Sequence, residues 1–215
     1  MQQYLEQPAA LKTTLYKSLR DYLKKQLVAP RGTTKERRED MLDNVRRSDE
    51  LHQPPIEVWG GIECTINRVH DQYFDQLEFS GHYHRPEDIE MIGSLGIKML
   101  RYPVLWEKHQ MQPNTPIDWS FAESRLNRLR ELNITPIAGL VHHGSGPRHV
   151  NFYDGSFETG LAAYAKEVAI KFPWLEYYTP VNEPLTTARF CGLYGHWFPH
   201  KSSDYDFLRI LVSEC

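Results

Sequence analysis

Ile134-Thr135-Pro136-Ile137-Ala138-Gly139-Leu140-Val141 is an almost entirely apolar run, and His142-His143 follow it directly. A short apolar run of this kind is typical of a strand that is buried on both faces of a parallel sheet. We therefore predict a strand over Ile134–Val141 that carries two polar side chains at its carboxyl end.

Strands and helices alternate on both sides of this run. Three further apolar stretches predict strands, at Ile56–Glu63, Ile97–Pro103 and Leu175–Val181. Periodicity predicts four helices, at Pro86–Leu95, at Trp119–Leu132, at Phe157–Phe172 and from Asp204 to the last residues. Gly96 is the expected C-cap of the first helix, and Asp118 and Asp204 are the expected N-caps of the second and the last. This alternation indicates an α/β fold with a parallel sheet and four βα units. The chain has 215 residues, whereas a closed eight-fold barrel needs roughly 250.

The first 53 residues differ in composition from the rest. They contain 11 Lys+Arg and 8 Asp+Glu, a net charge of +3, and residues 54–215 contain the remaining 14 and 20, a net charge of −6. Helical spacing predicts an amphipathic helix over 9–27 and a second, very charged helical stretch to about Leu51. We interpret residues 1–53 as a charged helical extension and residues 54–215 as the main domain. A basic amphipathic helix can also bind a membrane surface or a partner, but the interleaved charges favour a solvated extension.

The overall composition excludes several classes of protein. Hydrophobic residues make up 40% of the chain and aromatic residues 12%, which is enough for a folded core. The net charge of −3 argues against a nucleic-acid binder. No run approaches the roughly 18 apolar residues of a membrane helix, and no apolar signal segment follows Met1. The three cysteines (Cys64, Cys191 and Cys215) are widely spaced, so we expect free thiols and a cytoplasmic protein.

Polar side chains stand at the carboxyl ends of all four predicted strands, where the active sites of parallel α/β folds form. They are Glu63 and Asn67, Arg101 with Trp106 and Glu107, His142 and His143, and Asn182 and Glu183. We expect these residues to form one polar pocket. A set of salt bridges that closes the rim of a barrel is the alternative.

The segment Thr179-Pro180-Val181-Asn182-Glu183-Pro184 carries the most chemical information. A glutamate at a strand end can act as a general acid if burial or a nearby carboxylate raises its pKa. Glycoside hydrolysis needs two carboxylates that flank the scissile bond. Glu183 is a good candidate for the acid/base member, and Asn182 can hydrogen-bond a sugar hydroxyl.

This segment resembles the acid/base motif of glycoside hydrolase family 1, the retaining β-glycosidases. Other segments are similar to that family in the same order: Val58-Trp59-Gly60-Gly61, Arg101-Tyr102-Pro103 with Trp106, His143 with Pro147, and Tyr194-Gly195 with Pro199. The resemblance covers roughly residues 56–215 and implies a (βα)8 TIM-barrel fold of which this chain carries the first four units. It also implies that Glu183 is the acid/base and that Asn182, His143, Arg101 and Asn67 bind the substrate.

Two longer segments, 59–68 and 141–149, are similar to a group of bacterial two-part proteins. In that group a glycosidase-like half precedes a half similar to dTDP-4-dehydrorhamnose reductase. This chain would match the first portion of the glycosidase-like half. It contains no Gly-x-Gly-x-x-Gly dinucleotide fingerprint.

The sequence departs from the family 1 pattern at three points. Asn67 stands where the family has a sugar-binding glutamine, and Asn is one methylene shorter. Gly144 stands where the family has an aromatic residue after the histidine. The family's nucleophile lies on a seventh strand, whereas residues 184–215 offer only Glu214, in the predicted last helix. We therefore expect one catalytic carboxylate of the two in this chain.

Three other constellations suggest weaker alternatives. His142, His143 and His149 lack a third-ligand pattern, so we predict substrate-pocket or surface histidines and no metal. His82-Tyr83-His84 is expected in an exposed loop. Gly144-Ser145-Gly146 lacks the lysine and the length of a phosphate-binding loop, so we expect a tight βα loop and no cofactor.

The leading hypothesis is a glycosidase-like domain that acts on, or binds, a β-linked sugar. The alternatives are a non-catalytic sugar-binding or regulatory domain of a nucleotide-sugar enzyme, with a downstream reductase-like domain as its partner, and an inactive fragment. Four strands of an open barrel expose two sheet edges, so we expect self-association. We expect neither nucleic acid nor a membrane as a partner.

Overall fold

The computed structural model describes Glu39, residues 56–113 and residues 115–215. The helices predicted over 9–27 and up to Leu51 lie outside these residues, and the domain boundary at residues 53 and 54 stays a prediction. The unit that can be described in detail is Ile56–Cys215.

Strands and helices alternate along this unit. The strands are β1 (Trp59–Gly61), β2 (Ile66–Val69), β3 (Gln72–Asp75), β4 (Met99–Pro103), β5 (Thr135–His142) and β6 (Tyr177–Asn182). The α-helices are α1 (Gln76–Ser80), α2 (Asp88–Ser94), α3 (Trp106–His109), α4 (Ser120–Glu131), α5 (Ser156–Lys171), α6 (Pro184–Ala188) and α7 (Asp204–Glu214). A 3₁₀ turn covers His82–His84, and a π-helical turn covers Arg189–Leu193. Within the described part, no helix is long and apolar enough to cross a membrane.

Four of the strands form one parallel sheet in the order β1-β4-β5-β6. The predicted α/β class with a parallel sheet is therefore confirmed. The register places Gly61 beside Arg101 and His142 beside Asn182. Because the strands are parallel, their carboxyl ends meet at one edge of the sheet.

One apolar cluster joins the sheet to its helices. Leu100, Tyr102 and Leu140 of the strands are buried in the same core as Leu126 of α4 and Tyr164 of α5. Each such side chain contributes about 1.5–3 kcal/mol to stability by leaving water. This core fixes the positions of the strands, and with them the sheet edge that carries the polar residues.

Most predicted elements are found, with shifts at their ends. β1 has three residues rather than the predicted stretch Ile56–Glu63, although Ile62 N still donates to Arg101 O at 3.2 Å. Two predicted N-caps are displaced by one residue. Trp119 precedes α4 in place of Asp118, whose Oδ1 accepts from Ser120 N, and Ser203 caps α7 in place of Asp204.

An antiparallel hairpin, β2–β3, was not predicted. Its turn contains His70-Asp71, with His70 at φ 54°, and lacks the Asn-Gly or Asp-Gly pair that marks a tight hairpin in a sequence. Asp75 then caps α1 by accepting hydrogen bonds from Leu77 N and Glu78 N. The hairpin lies between β1 and α2, so the first βα connection contains strands of its own.

The prediction of an exposed loop at His82-Tyr83-His84 was wrong for His82. Its side chain is buried, with Nδ1 2.7 Å from Asp88 Oδ2 and Nε2 2.9 Å from Tyr102 Oη. Burial raises the pKa of Asp88, but hydrogen bonds from His82 and Arg85 outweigh it and lower that pKa below the usual range. A buried polar group needs partners, and the partners on α2 and β4 could not be read from the local sequence.

Candidate active site

Six polar residues meet at the carboxyl edge of the parallel sheet. We define the strand-end cluster as Glu63, Arg101, His142, His143, Asn182 and Glu183. Residues from four different strands or the loops that follow them supply these side chains. Hydrogen bonds and ion pairs connect these six side chains, whereas Trp106 and Glu107, which were also expected in the pocket, are buried in the interior.

Asn182 lies at the centre of the cluster. Arg101 Nη1 donates a hydrogen bond to Asn182 Oδ1. Asn182 Nδ2 lies 3.2 Å from His142 Nε2 and 3.3 Å from His143 Nε2. Because the oxygen is occupied by Arg101, the orientation of the amide is fixed, and its NH2 group faces the two imidazoles.

Each imidazole also faces a carboxylate. His142 Nε2 lies 3.0 Å from Glu63 Oε2, and His143 Nε2 lies 3.2 Å from Glu183 Oε2. A ring nitrogen either donates its proton to the carboxylate or accepts one from Asn182, but it cannot do both. The protonation pattern of the cluster therefore depends on what the other nitrogen of each ring contacts.

Cys64 settles this for His142. Its Sγ is buried and lies 3.2 Å from His142 Nδ1. Burial raises the pKa of the Cys64 thiol to about 12, so the thiol keeps its proton and donates it to Nδ1. Burial and the neighbouring His143 also hold the pKa of His142 below its ordinary value. His142 is therefore neutral near pH 7, carries its proton on Nε2 and donates it to Glu63.

Three consecutive residues after β1 hold the histidine pair. Glu63 and Cys64 contact the two nitrogens of His142, and Thr65 Oγ1 lies 2.9 Å from His143 Nδ1. Sequence reasoning named Glu63 only as a strand end and gave Cys64 and Thr65 no role. The available signal was a row of polar side chains directly after the first predicted strand.

Glu183 occupies the step between β6 and α6. Its backbone is left-handed, at φ 51°, and Pro184 begins the helix behind it. Thr186 Oγ1 donates to Glu183 Oε2 at 2.9 Å. Hydrogen bonds from Thr186 and His143 hold the pKa of Glu183 below its usual range. The free site thus presents an ionised carboxylate, whereas a general acid needs a raised pKa.

Asn67 is the one predicted site residue that makes no hydrogen bond to the cluster among the described residues. It lies on β2 opposite Phe74, outside the parallel sheet. Its Oδ1 is buried without a hydrogen-bond partner among these residues. The other four predicted residues (Arg101, His143, Asn182 and Glu183) are brought together.

Aromatic rings stand beside the cluster. The ring of Trp197 lies 6.2 Å from that of His143 and stacks on Phe190 at 4.5 Å between centroids. An indole beside a polar cluster offers an apolar face on which a sugar ring can stack.

A buried carboxyl group supports the loop behind His143. Glu107 is 3% exposed, and burial raises its pKa to about 7. A side chain at Gly144 would overlap Glu107 Oε1. Gly144, which departs from the family 1 pattern, is therefore the residue that leaves room for this carboxyl group.

Two surface clefts lie away from the cluster. One is lined by residues at the amino end of β5 and before β6, including Arg130, Thr135 and Trp174. A second lies beside α5 and is lined by Ile117 and Glu167 among others. Neither contains a residue of the strand-end cluster. Among the residues that the structure describes, no group of three or more His, Cys, Asp or Glu side chains is placed to hold a metal ion.

Known structures with a similar fold include β-glucosidases and one further enzyme. No protein-family model matches the chain, and no curated protein matches it. A β-glucosidase from Thermotoga maritima in complex with cyclophellitol is 24% identical over 62% of this chain and 33% of its own, with a TM-score of 0.56. The AHE enzyme from Alicyclobacillus herbarius is 17% identical over 75% of this chain and 43% of its own, with a TM-score of 0.61.

Further complexes of the Thermotoga maritima enzyme match in the same way. The one with methoxycarbonyl-substituted glucoimidazole is 19% identical over 75% of this chain and 45% of its own, with a TM-score of 0.59. The chain thus spans between a third and a half of the length of these solved structures. At this level of identity the likeness concerns the fold alone: the parallel α/β sheet is similar to part of the TIM barrel of β-glycosidases.

Proposed function

We propose that the strand-end cluster binds a β-linked sugar and that Glu183 is the acid/base of glycoside cleavage. The position of Asn182 carries this proposal. It is fixed by Arg101, faces both histidines and directly precedes Glu183 at the edge of the sheet. The likeness in fold to β-glucosidases supports a sugar as the ligand.

Each residue has a distinct role in this proposal. Asn182 donates from Nδ2 to the 2-hydroxyl of the sugar, because its oxygen is already occupied. His143 contacts the ring, and Arg101 would orient the nucleophile. Asn67, whose Oδ1 has no hydrogen-bond partner among the described residues, is proposed to accept a hydrogen bond from a sugar hydroxyl.

Glu183 must gain a proton before it can act as an acid. In the free site its side chain is 59% exposed. A sugar that covers this carboxylate would remove water from it and raise its pKa. Glu183 would then protonate the leaving oxygen and later deprotonate a water molecule. A retaining mechanism also needs a nucleophile, which by resemblance to family 1 would come from a seventh strand.

Binding and cleavage are best tested separately on the full chain. We expect glucoimidazole to bind in isothermal titration calorimetry. Glu183→Gln should abolish any cleavage of 4-nitrophenyl β-D-glucopyranoside and leave the melting temperature nearly unchanged. Glu167→Gln, an exposed change on α5, is the matched control. If the unaltered chain neither binds glucoimidazole nor cleaves the glucoside, the proposal fails.

A non-catalytic sugar-binding domain is the second candidate. It is favoured by the exposed, ionised state of Glu183, which suits hydrogen bonding to hydroxyls without proton transfer. Binding of glucoimidazole without turnover in both the unaltered chain and Glu183→Gln would support it. A nucleotide-sugar reductase partner, a separate extension over residues 1–53 and a cytoplasmic location remain proposals from the sequence.

A further inference from the structure

Glu63 belongs to the strand-end cluster, but the proposed function assigns its carboxylate no contact of its own. It follows β1 directly, and its side chain is 63% exposed. Its Oε2 lies 3.0 Å from the buried His142, and its Oε1 lies 3.5 Å from Arg101 Nη2. Two anchored groups thus hold one side of the carboxylate, while the rest of the side chain stays open to solvent.

The negative charges of the cluster outnumber the positive charge of its guanidinium. The cluster contains two carboxylates, Glu63 and Glu183, and one guanidinium, that of Arg101. His142 is neutral near pH 7, because burial and His143 lower its pKa. Its Nε2 proton points to Glu63, because the Cys64 thiol occupies the other nitrogen. The carboxylate charge is therefore only partly balanced within the cluster.

A purely structural ion pair explains these features poorly. The Arg101–Glu63 separation of 3.5 Å is long, and a pair this exposed to solvent stabilises a fold little. The better-placed partner of Arg101 is Asn182. Glu63 therefore keeps lone pairs that a ligand at the sheet edge can use.

We propose that Glu63 contacts the bound sugar directly and that its charge makes the site favour cationic sugar analogues over neutral ones. This inference rests on the proposed sugar-binding function. Its carboxylate oxygens accept hydrogen bonds from sugar hydroxyls, or from a protonated ring nitrogen in an imino sugar. Hydrogen bonds to charged acceptors are stronger than neutral ones, so Glu63 discriminates by charge as well as by shape.

A matched pair of ligands separates the effect of charge from that of shape. Isofagomine is a cation near neutral pH, and isofagomine lactam is a neutral compound with a closely similar ring. Titration calorimetry at pH 7 on the full chain should show tighter binding of isofagomine. In Glu63→Gln we expect its affinity to fall by about tenfold or more, while the affinity for the lactam falls by roughly threefold or less. Glu167→Gln should leave both affinities unchanged.

Other results would overturn the inference. If Glu63→Gln binds both compounds as the unaltered chain does, Glu63 makes no contact with the sugar, and the proposed function stands without it. Equal losses for the two compounds, at an unchanged melting temperature, would exclude charge discrimination. If Glu63→Gln does not fold, Glu63→Asp keeps the charge and must retain the preference for isofagomine. If the unaltered chain binds neither compound, both this inference and the proposed function fail.

Discussion

The amide N–H of Gly146 donates a hydrogen bond to Glu107 Oε1 across 3.0 Å. This bond joins the start of α3, where Glu107 lies, to the loop that leaves β5. The loop also contains His143, so a buried carboxyl group supports the segment that positions one of the proposed sugar-binding residues.

Glu107 makes stability depend on pH. Burial raises its pKa from 4.5 to about 7, so between these values the folded chain holds a proton that the unfolded chain has released. The free energy of unfolding therefore falls by about 3 kcal/mol as the pH rises from about 4.5 to 7, because the protonated form of Glu107 stabilises the fold. Urea unfolding should be measured from pH 5 to pH 8 for the unaltered chain and for Glu107→Gln. The free energy of unfolding should fall more steeply with pH in the unaltered chain.

The comparison of the two chains removes the effect of other titrating groups. Glutamine has no titrating group, so the unaltered chain should lose stability relative to Glu107→Gln as the pH rises. If the free energies of unfolding of the two chains changed in parallel over this pH range, the pKa of Glu107 would not be raised by burial.

Gly144→Ala should destabilise the fold by about 2 kcal/mol or more, because the added methyl group would overlap Glu107 Oε1. Gly139→Ala in β5 is the control, since its added carbon would meet nothing closer than Tyr102 O at 3.8 Å. The penalty at Gly144 should shrink when Glu107 is also changed to alanine, as a double-mutant cycle would show. An additive cycle would contradict the contact.

Cys64 should fix the tautomer of His142. Long-range ¹H–¹⁵N spectra of the unaltered chain at pH 7 should show His142 protonated on Nε2 and unprotonated on Nδ1. Cys64→Ala leaves Nδ1 buried without a donor, which costs about 1–3 kcal/mol and releases the tautomer. Cys64→Ser keeps a donor and should retain the spectrum. Protonation of Nδ1 in the unaltered chain would contradict this assignment.

The outer strands predict self-association. β1 and β6 each pair with one strand of the four-stranded sheet, so each leaves an edge without a strand partner in the described unit. Ile56 and Val58, which precede β1, are 94% and 65% exposed, and Trp59, its first residue, is 57% exposed. Sedimentation velocity should show concentration-dependent association that Trp59→Lys weakens and Met91→Lys, on α2, does not. A monomer at all concentrations would refute the prediction.

Hydrophobic patterning predicted the four parallel strands to within about three residues, because short apolar runs bounded by polar or turn residues mark strands in a sequence. The parallel direction of the strands followed from the βα alternation. Asn182 and Glu183 could be placed at the sheet edge for the same reason. These features depend on residues that are close in sequence.

Contacts between distant residues could not be predicted in this way. Cys64 and His142 are 78 positions apart, and no local pattern pairs a buried thiol with a particular imidazole. The hairpin β2–β3 was missed because its turn lacks glycine. The lowered pKa of Glu183 could not be predicted either, because it depends on hydrogen bonds from Thr186 and His143.

At the ends of β5 and β6, two residues with large polar side chains have a left-handed backbone. His143 and Glu183 have φ values of 56° and 51°, a conformation that costs a residue with a side chain about 1 kcal/mol or more and that glycine adopts freely. Selection for stability alone would therefore favour glycine at both positions. Under the proposed function, the imidazole and the carboxylate at these positions bind the sugar at a cost in backbone energy, so exchanging either for glycine would relieve that cost and remove a ligand-binding group.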